Sequence, residues 1–182
     1  MTTETLAPLH HTARPASGSD RLPAAALAVL RILLGAVFAW AFLDKLFGLG
    51  FSTPAARSVL AGSSPTKGYL GHLEGWLAGP LGSLAGQWWV DVLFMGGLLG
   101  LGVTLLGGFA LRAAAVGGSL LLALMWLSAL PLQNNPVLDE HVVYAAALFG
   151  LAATDAGRRW GLARPWRVFL AARAPKLLPA LG

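Results

Sequence analysis

The chain contains no cysteine among its 182 residues, and only 12% of the residues are charged. The missing thiols exclude disulfides, thiolate catalysis and Cys-ligated zinc or iron–sulfur centres. No haem or other metal site is predicted either. Soluble domains carry about 25% charged residues, so a chain that is 56% hydrophobic with so little charge is expected to be a membrane protein. Any redox chemistry must come from a bound ligand or cofactor.

Four apolar stretches predict an all-α integral membrane protein, a four-helix bundle formed by a single domain. The spans are expected near residues 23–45, 88–107, 112–130 and 137–157. A span needs about 20 predominantly apolar residues. The last stretch is short in its uninterrupted part, but residues 137–160 would reach about 36 Å at about 1.5 Å per residue. Residues 1–22 are predicted to be a disordered tail, 23–157 the membrane domain and 158–182 a basic tail.

The long connection between the first two spans, residues 47–87, contains no apolar run long enough to cross a bilayer. Its glycines and prolines interrupt regular structure. Residues such as Val59, Leu60 and Trp76 nevertheless make it too apolar for a free linker. We therefore expect short helices that lie at the membrane interface.

The lysines and arginines are unevenly distributed between the two sides of the predicted bundle. One side has only Lys45, Arg57 and Lys67. The other side carries Arg14, Arg21, Arg112, Arg158, Arg159, Arg164, Arg167, Arg173 and Lys176. Because cytoplasmic segments carry the excess of Lys and Arg, both termini are expected in the cytoplasm and the 47–87 connection outside the plasma membrane. The basic residues lie near membrane edges and not in a soluble module, so no nucleic-acid partner is predicted.

Residues 166–178 of the basic tail mix aromatic and aliphatic side chains with three cations. Two interpretations remain open. The segment is either a helix lying on the anionic inner leaflet or a solvated tail that only fixes the topology.

The first span carries charged and aromatic residues on one side of a predicted helix. At about 100° per residue, that side contains Arg31, Gly35, Phe38, Phe42 and Lys45. Ionisable groups at membrane depth usually face the bundle interior or water. This side is therefore expected to face the other helices and not lipid.

Arg31 lies about 10 Å inside the cytoplasmic end of this span by helix rise. It is expected to pair with an acid such as Asp155 or to snorkel, ahead of binding a lipid headgroup or an anionic ligand. Ala39-Trp40-Ala41 resembles a signal-peptidase site. We interpret the segment as a retained helix, because it is apolar on both sides of Arg31 and long enough to span.

The remaining polar residues fall at the outer ends of the spans. These candidates are Asp44, Lys45, Asp91, Asp139, Glu140 and His141. Helix dipoles favour acids in first turns and cations in last turns, so Asp91, Asp139, Glu140 and Lys45 are also explained as boundary residues. Asp44 is different, because an acid near a helix C-terminus is disfavoured. It is expected to need a cationic partner, namely Lys45, Arg57, Lys67 or a protonated His141.

His141 and Tyr144 share one face of the predicted fourth helix. A His–Tyr pair just below the outer surface can hydrogen-bond a carbonyl and transfer protons, which is what a quinone site requires. The alternative is an interfacial histidine whose hydrogen bonds go to backbone or water. Sequence alone slightly favours that alternative.

Several motifs in this order resemble the DoxX/DoxD family, and the DoxD branch in particular. They are LRILLGAVFAWAFLDKL at residues 30–46, GSSPTKG at 62–68, WVDVLFM at 89–95, and Asn135-Pro136 followed by Asp139, His141 and Tyr144. The resemblance covers roughly residues 27–162. It implies a four-helix membrane protein similar to the small subunit of thiosulfate:quinone oxidoreductase, which passes electrons from a sulfur compound to membrane quinone. It supports the fold more firmly than the activity.

Two functional hypotheses follow. In the first, the chain is a quinone-reactive redox subunit, with quinone as the electron acceptor. Trp88, Trp89 and Tyr144 would flank the quinone ring. His141 would exchange protons with an acid from Asp44, Asp139 or Glu140. Asp91 is a further catalytic candidate. Lys45 or Lys67 would attract an anionic donor such as thiosulfate.

In the second hypothesis the chain is a non-enzymatic membrane scaffold for a redox or detoxifying partner, and the outer polar cluster locks helices together. A second redox subunit or a homo-oligomer is compatible with either hypothesis. A small-solute carrier is disfavoured, because no inverted repeat or pair of broken helices is visible in the sequence.

Overall fold

The computed structural model describes residues 18–73, 77–132, 135 and 137–182. Most of the predicted N-terminal tail, residues 1–17, lies outside the described residues. So do residues 74–76, 133–134 and 136, which include Trp76 and Pro136 of the predicted motifs.

The described chain is helical. Its helices are α1 (Gly18–Phe47), α2 (Pro65–Leu70), α3 (Ala78–Gly82), α4 (Trp88–Gly107), α5 (Leu111–Ser128), α6 (Glu140–Ala153), α7 (Ala163–Arg173) and α8 (Leu178–Leu181). Single 3-10 turns occur at Ala55–Arg57, Ala156–Arg158 and Pro175–Leu177. The short helices α2 and α3 occupy the long connection between the first two spans, where short helices were expected.

Three of these helices are long and apolar enough to cross a membrane: Leu22–Phe47 within α1, α4 and α5. The described part of α1 extends from Gly18, so helical residues precede Pro23, where the first span was expected to begin. Residues 18–22, which were assigned to the disordered tail, are therefore helical.

The helix α6 is shorter than the predicted 137–157 span. Its 14 residues rise about 21 Å, against a hydrocarbon thickness of about 30 Å. The helix stops because the backbone turns left-handed at Asp155, where φ is 53°. A 3-10 turn follows this residue.

The long helices pack in pairs. The helix α1 lies along α4, and α5 lies along α6, while α4–α5 and α1–α6 contacts join the two pairs. The buried core between them contains Leu34, Phe38, Leu98, Leu101, Leu105, Leu122, Leu148 and Leu151. Gly102 allows the close approach of α1, since a Cβ there would lie 3.0 Å from Ala39. By contrast, Gly96 and Gly100 of the same helix have no neighbour within 4 Å of such a Cβ.

The polar residues predicted to gather on the outer side do lie at one end of the molecule. Phe38 of α1 packs edge-on against Tyr144 of α6. Because α1 runs towards this end and α6 runs away from it, the C-terminus of α1 and the N-terminus of α6 lie together. We call this the loop end, since it also holds residues 48–87. The opposite end, with residues 155–182, is the tail end.

The side chain of Arg31 joins several segments of the tail end by hydrogen bonds. This side chain is 0% exposed. One guanidinium nitrogen donates to the carbonyls of Leu105 and Leu106, the latter at 3.0 Å. The other donates to the carbonyls of Arg159 at 3.4 Å and Trp160 at 2.8 Å. Arg31 therefore satisfies carbonyls at the end of α4 that have no helical partner, and joins them to the turn after α6.

Two glycines make room for this arrangement. Gly108 ends α4 in the left-handed conformation, with φ 66°, and a Cβ there would lie 2.7 Å from the guanidinium. Gly157 packs against Gly108, where a Cβ would approach the carbonyl oxygen to 2.2 Å. Backbone approach this close requires residues without side chains.

The predicted roles of Arg31 need correction. Asp155 is bound by Arg167 at 2.7 and 3.0 Å, so it does not pair with Arg31. A fully buried guanidinium whose bonds go to four carbonyls neither snorkels nor faces a ligand. The physical reason is that carbonyls at a helix end away from water need hydrogen-bond donors. Which side chain supplies those donors cannot be predicted from the spacing of residues along the sequence.

We predict that Arg31→Met destabilises the protein by several kcal/mol, because each buried acceptor left unpaired costs about 1–3 kcal/mol. Thermal unfolding of the detergent-purified protein measures the effect. The matched control is Arg112→Met at the same end, since Arg112 is exposed and, within the described part of the chain, donates a single hydrogen bond, to the Pro179 carbonyl. Equal melting temperatures for the two variants would contradict this role.

Candidate functional site

A cavity of about 940 Å³ opens at the loop end of the molecule. Three cationic side chains line it: Lys45, Arg57 and Lys67. None of the described residues that line it is acidic. We call it the basic cavity. It contains every lysine and arginine that the sequence analysis assigned to the outer side.

Each cation reaches the cavity from a different segment. Lys45 is in the last turn of α1, half-buried, with its ammonium 5.9 Å from the centre of the Phe94 ring. Arg57 ends a 3-10 turn in the loop that follows α1. Lys67 is in α2, and its aliphatic stem lies against Gly86.

The loop that carries Arg57 is tied to α1 by backbone hydrogen bonds. The amides of Val59 and Leu60 donate to the carbonyls of Lys45 and Leu46, at 3.0 and 3.2 Å. These are among the last carbonyls of α1, which lack partners within the helix. Capping α1 thus brings Arg57 back beside Lys45.

Polar groups complete the lining. Hydroxyls come from Ser52, Thr53, Ser63, Ser64 and Tyr69. His72 also lines the cavity, and its Nδ1 lies 2.8 Å from the carbonyl oxygen of Gly68. A carbonyl can only accept, so this nitrogen carries the proton. The Ser52, Ser63 and Ser64 hydroxyls donate to acceptors within the protein. The three cations are therefore the groups through which the cavity can bind an anion.

Asp44 lies behind the cavity wall and stabilises the loop. Its side chain is buried, at 1% exposure. The carboxylate accepts hydrogen bonds from the amides of Phe51 and Ser52, at 3.3 and 3.1 Å, and from the Ser52 hydroxyl at 2.6 Å. The prediction that Asp44 needs a cationic partner was therefore wrong, because backbone amides and a hydroxyl supply the donors.

Asp91 attaches α2 to the start of α4. Its Oδ1 accepts from the Ser64 hydroxyl at 2.8 Å, from the Thr66 amide at 3.2 Å and from the Thr66 hydroxyl. Ser64 in turn caps α2 by accepting from the Lys67 amide at 3.0 Å. Asp91 thereby fixes the helix that carries Lys67. A carboxylate so occupied fits a structural role better than the predicted catalytic one.

Asp139 and His141 form a separate pair. Asp139 caps α6 by accepting from the amides of His141 and Val142. Its second oxygen lies 2.7 Å from Nδ1 of His141. Glu140 is exposed beside them, and ligand atoms of the three residues lie within 4.8 Å of one another. They could hold a cation only in competition with the hydrogen bonds of Asp139.

The predicted proton-transfer residues do not converge on the basic cavity. His141, Asp139 and Glu140 are absent from its described lining, and Tyr144 packs against Phe38 with ring centroids 6.3 Å apart. His141 and Tyr144 do lie on the predicted helix. Their side chains contact different partners, the cap of α6 and the core.

An apolar groove lies beside the basic cavity, with a volume of about 460 Å³. Its walls come from α2, α3, α4 and α5 and include Leu70, Leu84, Trp89, Leu93, Leu121 and Leu124. Tyr69, Phe94 and Met125 line both the groove and the cavity. The Tyr69 hydroxyl is 2.7 Å from the Ser128 hydroxyl, within the groove wall. The two spaces therefore meet along these three residues.

Of the aromatic residues predicted to flank a quinone ring, only Trp89 lines this groove. Trp88 is 76% exposed and lines neither space. Tyr144 is in the core between α1 and α6. The structure therefore does not bring the predicted trio together.

Sequence reasoning missed Arg57 and Tyr69 as site residues. Arg57 was considered only as a partner for Asp44. A usable signal existed, because Lys45, Arg57 and Lys67 were the only lysines and arginines assigned to the outer side. Tyr69 had no comparable signal, since its position depends on how α2 folds back onto α5.

Comparisons with known proteins do not assign a family. No family model, no curated protein and no solved structure matches this chain. The resemblance to the DoxX/DoxD family therefore stays a prediction that depends on the quoted motifs. The function has to be inferred from the basic cavity and the groove beside it.

Proposed function

We propose that this chain is a membrane subunit of a quinone-linked redox system, in which the basic cavity binds a small anionic electron donor such as thiosulfate. The observation that carries the proposal is the convergence of Lys45, Arg57 and Lys67 on a cavity without an acidic residue in its described lining. The DoxD-like motifs supply the expected donor class.

Electrostatics favour a dianion in this cavity. At an effective dielectric of about 20, two unit charges 4 Å apart attract by about 4 kcal/mol. Asp44 and Asp91 lie behind the wall and partly offset the cations. Their carboxylates are already hydrogen-bonded inside the protein, so an entering anion meets the three cations directly.

The apolar groove is the proposed quinone site. It opens among membrane-spanning helices and shares Tyr69, Phe94 and Met125 with the basic cavity. Two thiosulfate dianions would each give up one electron as a bond forms between their outer sulfur atoms. The quinone would take up these two electrons and two protons to become a quinol. The volume of about 940 Å³ leaves room for both anions.

We further propose four membrane crossings, with both termini in the cytoplasm of a cell whose plasma membrane holds the protein. The helix α6 is short, but it lies along α5. After it the chain returns to the α4–α5 turn, where the Leu162 amide donates to the Gly107 carbonyl at 2.8 Å. That contact supports a return of α6 across the bilayer. The excess of Lys and Arg at the tail end supports the orientation.

A scaffold for a redox partner is the second candidate function. The observation that favours it is that Arg31, Asp44, Asp91 and Asp139 all direct their hydrogen bonds to groups within the protein. Ionisable residues used in this way lock helices and loops without any reaction. The basic cavity would then have no substrate.

The anion proposal predicts weaker thiosulfate binding in Arg57→Gln and Lys67→Gln. Loss of one partly screened charge should raise the Kd by about 5- to 30-fold, corresponding to about 1–2 kcal/mol. Both residues are exposed, so the fold should persist. Isothermal titration with thiosulfate at low and high salt measures the effect. The control is Arg112→Gln, which removes the same charge at the tail end; wild-type affinity in all three variants would refute the cavity as the site.

The quinone proposal predicts that filling the groove blocks electron transfer and spares anion binding. Gly117 lines the groove, and a Cβ there would meet nothing within 4 Å, so Gly117→Leu should project into it without a clash. Thiosulfate-dependent quinol formation in proteoliposomes should fall at least tenfold. Gly96→Leu is the matched control, because Gly96 is equally unobstructed but does not line the groove. If the wild type neither binds thiosulfate nor forms quinol, the scaffold becomes the better explanation.

The topology proposal is tested with single cysteines, for which the cysteine-free chain is suited. Ala56 in the loop and Ala180 in the tail are both exposed. A membrane-impermeant maleimide on intact cells should label Ala56→Cys at once and Ala180→Cys only after permeabilisation. Three crossings would instead place both residues outside, and both would then be labelled in intact cells.

A further inference from the structure

The helix α7 at the tail end has two different apolar faces. Ala163 and Leu170 are buried against the protein. On the other side, Val168 is 72% exposed and Phe169 is 53% exposed. One apolar face of α7 is therefore buried by the protein. The second apolar face remains exposed and available to another partner.

The exposed face has a defined order around the helix. At about 100° per residue, Val168, Ala172, Pro165 and Phe169 fall within an arc of about 100°. Arg164 lies on one side of this arc and Arg173 on the other, and both are exposed. We call these four apolar residues with their two arginines the α7 stripe. An apolar arc between cations is the pattern of helices that lie in a membrane interface.

The α7 stripe is held in place by contacts on the opposite side of the helix. Arg167 forms the bidentate ion pair with Asp155. The Trp166 indole donates to the Leu181 carbonyl at 2.7 Å, and its ring lies 5.1 Å from that of Phe109 in the α4–α5 turn. These contacts fix α7 beside the ends of membrane-spanning helices. Such a position is next to lipid headgroups.

Charge distinguishes a lipid surface from other occupants. Within the described residues, Arg164, Arg173 and Lys176 form no ion pair. Trp160 and Leu162, just before the helix, are also exposed, at 59% and 55%. Free cations with aromatic and aliphatic side chains between them match an anionic phospholipid surface, where phosphates meet the arginines and acyl chains meet the apolar arc.

We propose that the α7 stripe inserts into the leaflet at the tail end and binds anionic phospholipid through Arg164 and Arg173. This anchoring function is independent of the basic cavity, so it stands whether or not the chain is a redox subunit. It also gives the short α6 a fixed depth in the bilayer, because the turn after α6 is joined to α7 through Asp155.

Spin labels on the full-length protein in phosphatidylcholine–phosphatidylglycerol nanodiscs test the proposal. The matched positions are Ala171→Cys and Ala172→Cys, neighbouring exposed alanines. Ala172 lies within the apolar arc, whereas Ala171 lies beside Arg164. The label at residue 172 should collide with oxygen in preference to aqueous nickel, and the label at residue 171 should show the opposite preference. Nickel-accessible labels at both positions would place the stripe in water and overturn the proposal.

Two further measurements complete the test. Low accessibility of residue 172 to both reagents would indicate a covering protein surface and would also overturn the proposal. Arg164→Gln with Arg173→Gln should reduce the enrichment of phosphatidylglycerol around the purified protein by about fivefold per arginine. Arg57→Gln with Lys67→Gln at the loop end, which also removes two positive charges, is the charge-matched control. Unchanged enrichment in the double variant, with an unchanged melting temperature, would exclude lipid binding by these arginines.

Discussion

The buried guanidinium of Arg31 is the interaction on which the tail end depends. A bilayer core offers no water to the last carbonyls of a helix, so those carbonyls must find donors within the protein. Arg31 supplies donors to α4 and to the turn after α6 at once. One side chain of α1 therefore joins three parts of the chain that are distant in sequence. The same hydrogen bonds explain the glycines at 108 and 157. The backbone at Gly108 must lie close to the guanidinium, and the backbone at Gly157 must lie close to Gly108.

At the loop end the backbone groups that need partners are N–H donors, and carboxylates accept their hydrogen bonds. Asp44 accepts from the loop that follows α1, Asp91 from the start of α2, and Asp139 from the start of α6. Each acid is used to hold backbone in place. Among the described residues, the side chains of Lys45, Arg57 and Lys67 hold no backbone group, and all three line the cavity. The basic cavity is thus positively charged because the acids at this end bind backbone groups, whereas the cations line the cavity.

Much of the fold could be predicted from apolar runs. The second span was predicted at residues 88–107, the bounds that α4 has in the structure. The roles of Arg31 and Asp44 could not be predicted, because their partners are backbone groups, and any residue type can supply those. The fourth helix was predicted too long, since a left-handed Asp155 ends it and nothing in the composition marks that turn.

The candidate site was predictable only in part, for a related reason. Lys45 and Lys67 were correctly assigned to one end by charge distribution, and both line the cavity. His141 and Tyr144 were grouped because they share a helix face, yet a shared face does not specify a shared partner. Asp139 binds His141 and Phe38 contacts Tyr144. Residue spacing describes one helix, whereas a cavity built from α1, a loop and α2 depends on how loops fold back.

The basic cavity and the apolar groove lie side by side, and this arrangement supports the redox proposal. A small anion cannot enter the bilayer, and a long-chain quinone cannot leave it. A protein that couples them needs a polar space and an apolar space that share a wall. Tyr69, Phe94 and Met125 form such a wall here. A scaffold needs neither space, and its function would be unaffected if they were separated. The shared wall therefore favours a protein that handles both kinds of molecule.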